Sequence, residues 1–298
     1  MELNWLEDFL ALAEHRNFSR AAAARNVTQP AFSRRIQALE QWVGTPLVLR
    51  SPQGVTLNEA GSYLREQAAV LVRDLQQARR GALKAAGRAG AGLSIAATHA
   101  LSFTFLPGWI RGISPLESFG SLNVVSDTMA ACERILLAGE ADLLLCHASP
   151  GVPTQLAPES FASLLVGRDV LVPVSAPDAT GAPRWALPGA APLRFLAYSA
   201  SSGLGRILEA RRGGLALAQI FTSPLAATLR IMARQGQGVA WLPRTMIAED
   251  LAAGHLVEAG GDDFHLAIEI RLFRPLRHPS ATAEAFWAAA VGQAKAGA

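Results

Sequence analysis

The sequence predicts an α/β protein that carries a separate winged, helix-rich amino-terminal domain. Three observations predict it. Residues 16–35 hold Arg16, Arg20, Arg25, Arg34 and Arg35 with no Asp or Glu, in a pattern of two short helices joined by a turn. Apolar or small residues then recur at spacings of 4, 3, 4, 3 and 4 from Leu64 to Ala82. From residue 93 onward, short apolar runs alternate with helical stretches.

The first helix is expected over residues 3–13, where Leu3, Leu6, Leu10 and Ala13 repeat at helical spacing beside Phe9. Ser19 is the expected cap of the second helix, and the run Ala21–Ala24 allows close helix approach. Asn26 suits the turn. The third helix should start at an N-capping Thr28, carry Pro30 in its first turn and stop at Gly44. Phe32, Ile36, Leu39 and Val43 form its apolar stripe. At about 100° per residue, Pro30, Ser33, Arg34 and Gln37 fall on the opposite face, with Gln29 at its amino-terminal edge. Residues 46–57 read as two strands around a turn at Ser51–Gly54, which makes a wing.

Asn58 should cap a helix reaching Ala86, with Leu64, Ala68, Leu71, Leu75, Ala78 and Ala82 as a dimer seam. The segment GRAGAG, residues 87–92, reads as a hinge. Strands are expected at 93–97, 122–126, 141–146, 170–175, 194–198, 239–243 and 268–273, with helices such as 128–139 and 224–236 between them. This alternation implies largely parallel sheets in two similar lobes. The resulting division is a winged helix-turn-helix at 1–57, a linker and dimerisation helix at 58–86, a hinge at 87–92 and a regulatory domain at 93–298. Its first lobe takes about 93–167 and 269–298, and its second about 168–268.

The chain has 298 residues, half of them apolar, with a formal charge of +3. That composition fits a globular protein of two or three domains. No apolar run nears the ~20 residues of a membrane span, and MELNWLEDFL has no signal-peptide layout, so the expected location is the cytoplasm. Cys132 and Cys146 stand in no CxxC or Cys/His array. They read as buried thiols, and neither a metal nor a cofactor is expected.

The outward face of the third helix has the chemistry of base recognition. Gln29 and Gln37 can donate and accept at adenine, and Arg34 can form two parallel bonds to guanine. Thr28 and Ser33 suit phosphate or base contacts, and Pro30 suits a thymine methyl. Arg50 in the wing suits backbone phosphate. Each of these residues alone also fits a solvated polar position; the apolar stripe behind them is what turns the set outward. Two heads paired on the seam would read a partly palindromic site in double-stranded DNA.

These residues closely resemble the LysR-type transcriptional regulators over almost the whole chain. The resemblance is strongest from Phe9 to Arg50: FLALAEHRNFSRAAAARNVTQPAFSRRIQALEQWVGTPLVLR. It rests on Ala21-Ala22, Thr28-Gln29-Pro30-Ala31, Ser33, Ile36, Leu39-Glu40, Gly44, Leu47, Arg50 and Ala60-Gly61. Weaker echoes are LLAGEADLLL (136–145) and ARQGQGVAWLPRTM (233–246). Within the family, RNVTQPAFSRRIQALE is similar to the branch with a hypochlorite-responsive regulator. An oxidant could then act on Met129, Met232, Met246 or either cysteine, although methionines at such spacing are more often core filler. Three positions depart from the family pattern: Arg25 replaces a leucine, Val48 a phenylalanine and Gln53 a wing arginine.

The resemblance implies a periplasmic-binding-protein-like effector domain with a small molecule between its lobes, homotetramers, DNA bending and RNA polymerase as a candidate partner. Ligands of open α/β sheets gather at the carboxyl ends of strands. Those ends carry Thr98, His99 and Ser102, then Asp127 and Thr128, then Ser199 and Ser202, then Thr222 and Ser223 ahead of a helix that Ser223 would cap. Helix amino termini there favour an anion, whereas the same hydroxyls also fit simple capping. His99 and His147 equally fit ordinary hydrogen-bonded histidines. The rival readings are an α/β enzyme and a solute-binding protein. The chain has no GxSxG, P-loop or strand-following GxGxxG, which weighs against an enzyme. The basic helix-turn-helix weighs against both.

Overall fold

A computed structural model of the chain describes residues 2–51, 54–85, 92–113, 120–188, 193–211, 213–277 and 279–296. It divides into two compact units, Met1–Ala89 with Leu137–Glu140 and Gly90–Leu136 with Ala141–Ala298.

The amino-terminal unit begins with α1 (Leu3–His15), α2 (Phe18–Ala24) and α3 (Gln29–Val43). α1 buries Leu6, Phe9 and Leu12, so the buried edge lies one step round from the expected Leu10–Ala13 line. The cap of α2 is Asn17, whose Oδ1 accepts the Arg20 N–H at 3.0 Å. Ser19 therefore sits inside the helix and does not cap it. Asn26 takes φ 54° in the turn, a conformation asparagine tolerates. Thr28 occupies the N-cap of α3 without a side-chain cap bond, and Gly44 closes the helix at φ 84°. Phe32, Ile36 and Leu39 are fully buried, and Phe32 packs edge-on against Phe18 with centroids 6.0 Å apart.

The wing is the antiparallel pair β1 (Val48–Ser51) and β2 (Gly54–Leu57). Glu40 on α3 ties it down, its Oε1 accepting the Leu47 N–H at 2.8 Å and the Val48 N–H at 3.3 Å. Gln53 lies outside the described residues.

Asn58 caps α4 (Glu59–Ala85), accepting the Gly61 N–H at 2.8 Å, while its amide donates to Pro46 O. The expected seam divides along this helix. Ala68 is fully buried in the core of the head, with Val72 beside it and Leu64 packed against them, whereas Leu71 and Leu75 stand about half exposed. The first turns of the helix must close the head's own core, so only the later positions remain open. Most of the expected hinge at 87–92 lies outside the described residues; Gly92 already belongs to a strand.

The second unit follows as β3 (Gly92–Thr98), α5 (His99–Thr104), α6 (Leu106–Ile113), β4 (Ser121–Asp127), α7 (Met129–Leu137), β5 (Leu143–Ala148) and β6 (Phe161–Ser175). Then come β7 (Leu193–Tyr198), α8 (Gly203–Arg211), β8 (Leu217–Ser223), α9 (Ala226–Arg234), β9 (Ala240–Pro243) and α10 (Arg244–Ala252). The chain ends with β10 (Val257–Glu258), β11 (Leu266–Pro275) and α11 (Ala281–Ala296). The large sheet runs β10-β6-β11-β5-β3-β4, and β9 also pairs with β6. β7 and β8 pair in parallel, and β7 meets the chain before β9 through hydrogen bonds between Leu196 and Val239 and between Val239 and Arg194.

The sheet is mixed, where largely parallel sheets were expected. β3, β4 and β5 run parallel, but β11 is antiparallel to both β5 and β6, and β9 is antiparallel to β6. The two long strands carry the difference, since β6 and β11 extend well past the apolar runs 170–175 and 268–273 and pair antiparallel with each other. Each passes from one core into the other. One core gathers Ile95, Leu143 and Phe286, and the other Leu196, Leu229 and Trp241. β8 was not anticipated, and it contains Thr222 and Ser223. The following helix takes Leu225 as its N-cap, so Ser223 does not cap it; its Oγ accepts the Leu225 N–H at 3.1 Å.

Candidate functional sites

The three α3 residues with the buried stripe at their back face solvent as a set with the turn before them. Thr28, Gln29, Pro30, Arg34 and Gln37 are exposed and Ser33 is half-buried. Arg50 is exposed on β1, with its guanidinium 4.5 Å over the Phe18 ring. The basic cluster is smaller than its formal +5. Arg25 bonds Asp8 at 2.8 Å and Glu7 at 2.5 Å, and Arg35 bonds the same Asp8 at 3.1 Å. Asp8 is fully buried on α1. Arg25, where a leucine was expected, is thus a structural ion-pair residue. Its proximity to both carboxylates outweighs the desolvation of its own charge and raises its pKa. Arg16, Arg20 and Arg34 remain exposed for a polyanion.

In the second unit, a small cavity of about 30 Å³ opens where the two cores meet. The first core lines it with Thr98, His99, Asp127, Thr128, Met129 and His147, and the second with Ser202, Gly203, Pro224 and Ala226. Three nine-residue helices, α7, α8 and α9, present their amino-terminal ends to it. Thr128 Oγ1 accepts the Ala131 N–H at 3.3 Å and Ser202 Oγ the Gly205 N–H at 3.3 Å, so both also cap. Asp127 Oδ1 accepts the Thr128 N–H at 2.6 Å.

Of the expected residues, Thr98, His99, Asp127, Thr128 and Ser202 line this cavity. Ser102, Ser199, Thr222 and Ser223 do not. Ser102 bonds His99 O and Ser126 Oγ, and Ser199 bonds the Ser201 hydroxyl. Thr222 accepts from Gln219 on the exposed strand β8, and Ser223 turns to the Leu225 N–H. Their hydroxyls serve local backbone or neighbouring side chains.

Two polar atoms at the cavity have no partner. Thr98 Oγ1 and His147 Nε2 are both buried and unbonded. His147 is only 4% exposed, and burial holds its pKa down at about 3, so the imidazole is neutral at pH 7. It is not the satisfied core histidine that its apolar strand suggested. Behind the cavity, fully buried Glu133 on α7 bonds Arg206 on α8 at 2.8 Å and also accepts from Thr154 and the Gln155 N–H. Ala130 N–H donates to Ser201 O at 3.2 Å. These bonds join the two halves next to the cavity.

The helix-turn-helix and the cavity match two known domains. Residues 3–62 match the bacterial regulatory helix-turn-helix protein, lysR family, and residues 86–295 match the LysR substrate binding domain. The chain belongs to the LysR family of transcriptional regulators. One relative, the HTH-type transcriptional regulator YjiE of Escherichia coli K12, is 32% identical over 96% of this chain and 93% of its own. Full-length HypT of Salmonella typhimurium, a hypochlorite-specific LysR-type regulator, superposes with TM-score 0.59 at 32% identity, covering 99% of each chain. Vibrio fischeri DarR, solved in complex with DNA, gives TM-score 0.58 at 33% identity over 97% of this chain and 98% of that one.

As a LysR-type regulator, the protein binds DNA through its amino-terminal domain and carries an effector-binding domain of two α/β lobes. No helix among the described residues is long and apolar enough to cross a membrane. Cys132 and Cys146 of this regulator are buried; burial pushes the Cys132 thiol up to about 12 and the Cys146 thiol upward as well. Such thiols are poor nucleophiles. Met232 and Met246 pack as core filler, while Met129 lines the cavity. The sequence reads His147 as an ordinary histidine and Met129 as an oxidisable or core methionine, and places neither at the effector site, because each sits in an apolar run that looks like core.

Proposed function

We propose that this LysR-type regulator reads promoter DNA with the outward face of α3 and answers a small molecule held between its lobes. Arg34 and Gln37 address base edges, Gln29 and Ser33 flank them, and Thr28, Pro30 and Arg50 position the head. The carrying observation is the exposure of this polar set directly behind a fully buried stripe. Arg34→Ala should lose site-specific binding while the protein stays folded and dimeric. Gel-shift titration on its own promoter checks it, and unchanged affinity would remove Arg34 from the reading set.

The half-exposed Leu71 and Leu75 on α4 support a dimer through that helix, and homotetramers through the regulatory domains follow the family pattern. The protein acts in the cytoplasm, has no catalytic activity, and contacts RNA polymerase when it activates. On this reading the DNA-binding head takes 1–57, the linker helix 58–86, the hinge lies in 87–92 ahead of the strand that starts at Gly92, and the regulatory domain follows. Effector occupancy of the cavity shifts the assembly only by its differential affinity for two lobe arrangements. Similarity to HypT, a hypochlorite-specific regulator, supports reading an oxidant as one signal, with Met129 as the cavity methionine; an identical DNA-binding profile before and after hypochlorite treatment would exclude it.

A further inference from the structure

The cavity between the lobes has an unusual charge inventory. Three helix amino termini point their positive ends at it, and Thr98, Thr128 and Ser202 add hydroxyls. Those groups favour an acceptor-rich, negatively charged guest. Yet none of its lining residues is Arg or Lys. An anion taken out of water with no full countercharge is costly. Asp127 on the cavity wall raises that cost.

The wall has two groups that can become cationic, His99 and His147. His99 Nδ1 is already engaged with Ser126 Oγ at 3.0 Å. His147 is the deeper one, and its Nε2 has no partner; Thr98 Oγ1, on the same cavity's lining, is also unpartnered. We infer that this cavity takes a small monovalent anion together with one proton, and that the proton resides on His147. The inference rests on the reading of this cavity as the effector site.

The surroundings of His147 fit the inference. On the adjoining strand its register partner is Ile270, and the flanking Arg271 and Glu269 bond each other at 2.6 Å. On α7, Glu133 is neutralised by Arg206, and Cys132, like Cys146 on its own strand, stays a thiol. The α8 and α9 residues at the cavity carry no titratable group. Asp127 is the carboxylate on the wall, and its Oδ1 already accepts the Thr128 N–H at 2.6 Å. Burial alone keeps the empty-site imidazole neutral. A bound anion offsets that penalty and returns His147 toward the ordinary histidine range of about 6.5. The complex then holds one more proton than the free protein, so affinity rises as pH falls.

The test uses the full chain and nitrate, which stays fully ionised throughout. Between pH 6 and pH 5 its affinity should rise about tenfold, the signature of one linked proton. Calorimetry at pH 5.5 in two buffers of different ionisation heat should count close to one proton taken up per nitrate. His147→Gln should flatten the pH profile, whereas His99→Gln should keep it. Thr98→Val should weaken nitrate at every pH and leave the slope intact. Nitrate binding without proton uptake in the wild-type protein overturns the inference and leaves the cavity as effector site; this measurement needs no variant to fold. Uptake that survives His147→Gln but is lost in Asp127→Asn assigns the proton to the carboxylate and also overturns it. Failure to bind nitrate overturns the anion class. Binding indifferent to Thr98→Val puts the anion elsewhere and overturns the cavity reading too.

Discussion

Asp8 shows how one side chain shapes the DNA-binding head. It is fully buried yet accepts from Arg25 and Arg35, so two of the five clustered arginines are held by the protein itself. Removing Asp8 strips the shared carboxylate from two arginines that are each about one-third exposed, so solvent recovers part of the loss and the cost is about 1 kcal/mol. Asp8→Ala should therefore lower the thermal midpoint of the head, read by circular dichroism, and an unchanged midpoint would show the network to be idle. Arg50 belongs to the other kind of arginine. It is exposed, and the Phe18 ring beneath it limits its wandering. Arg50→Ala should flatten the slope of affinity against salt by about one unit, and a wild-type slope would mean that it touches no phosphate. The outward set on α3 was legible in the sequence because an apolar stripe fixes what lies opposite. Asp8 was not, since it stands next to Phe9 and its partners lie 17 and 27 residues away.

At the level of elements, the joint between wing and linker depends on one glycine. A Cβ at Gly61 would sit 2.1 Å from Leu47 O, where the wing enters. Gly61→Ala must push α4 away from the wing, a strain of about 1–3 kcal/mol. Hydrogen exchange should show lost protection across β1 and β2; unaltered protection would mean that the joint yields freely. Helices with a single buried stripe, α3 above all, were readable from period alone. β8 was missed because all but its last residue are exposed or half-buried, so no continuous apolar run marks it. The first half of β6 was missed because its residues are mostly only half-buried, so no continuous apolar run marks them. The cavity was half legible for a related reason. Strand ends name Thr98, Asp127 and Ser202, but the position of His147 depends on the register of β5 against β11, which no local pattern records.

For the whole molecule, α4 holds the apolar residues that the head leaves uncovered. Leu71 is 51% and Leu75 52% exposed, on a helix whose neighbouring Ala68 and Val72 are already enclosed. A Leu71→Glu, Leu75→Glu double variant should shift the protein to monomer in sedimentation velocity and weaken promoter binding at least tenfold, since one head alone loses the second half-site. A variant that stays dimeric would place the interface elsewhere.

The two long strands β6 and β11 add a constraint on how the regulatory half can respond. They lie side by side over ten register pairs, interrupted at Ile270/Arg271, where Gly167 faces Ile270. Any rotation of one lobe against the other must be absorbed as torsion in this shared ribbon. At the irregular rung Val166 has no register partner on β11, so the ladder is locally interrupted there. Substitutions at Gly167 or Ile270 should therefore alter how readily the ribbon twists, without touching the cavity wall.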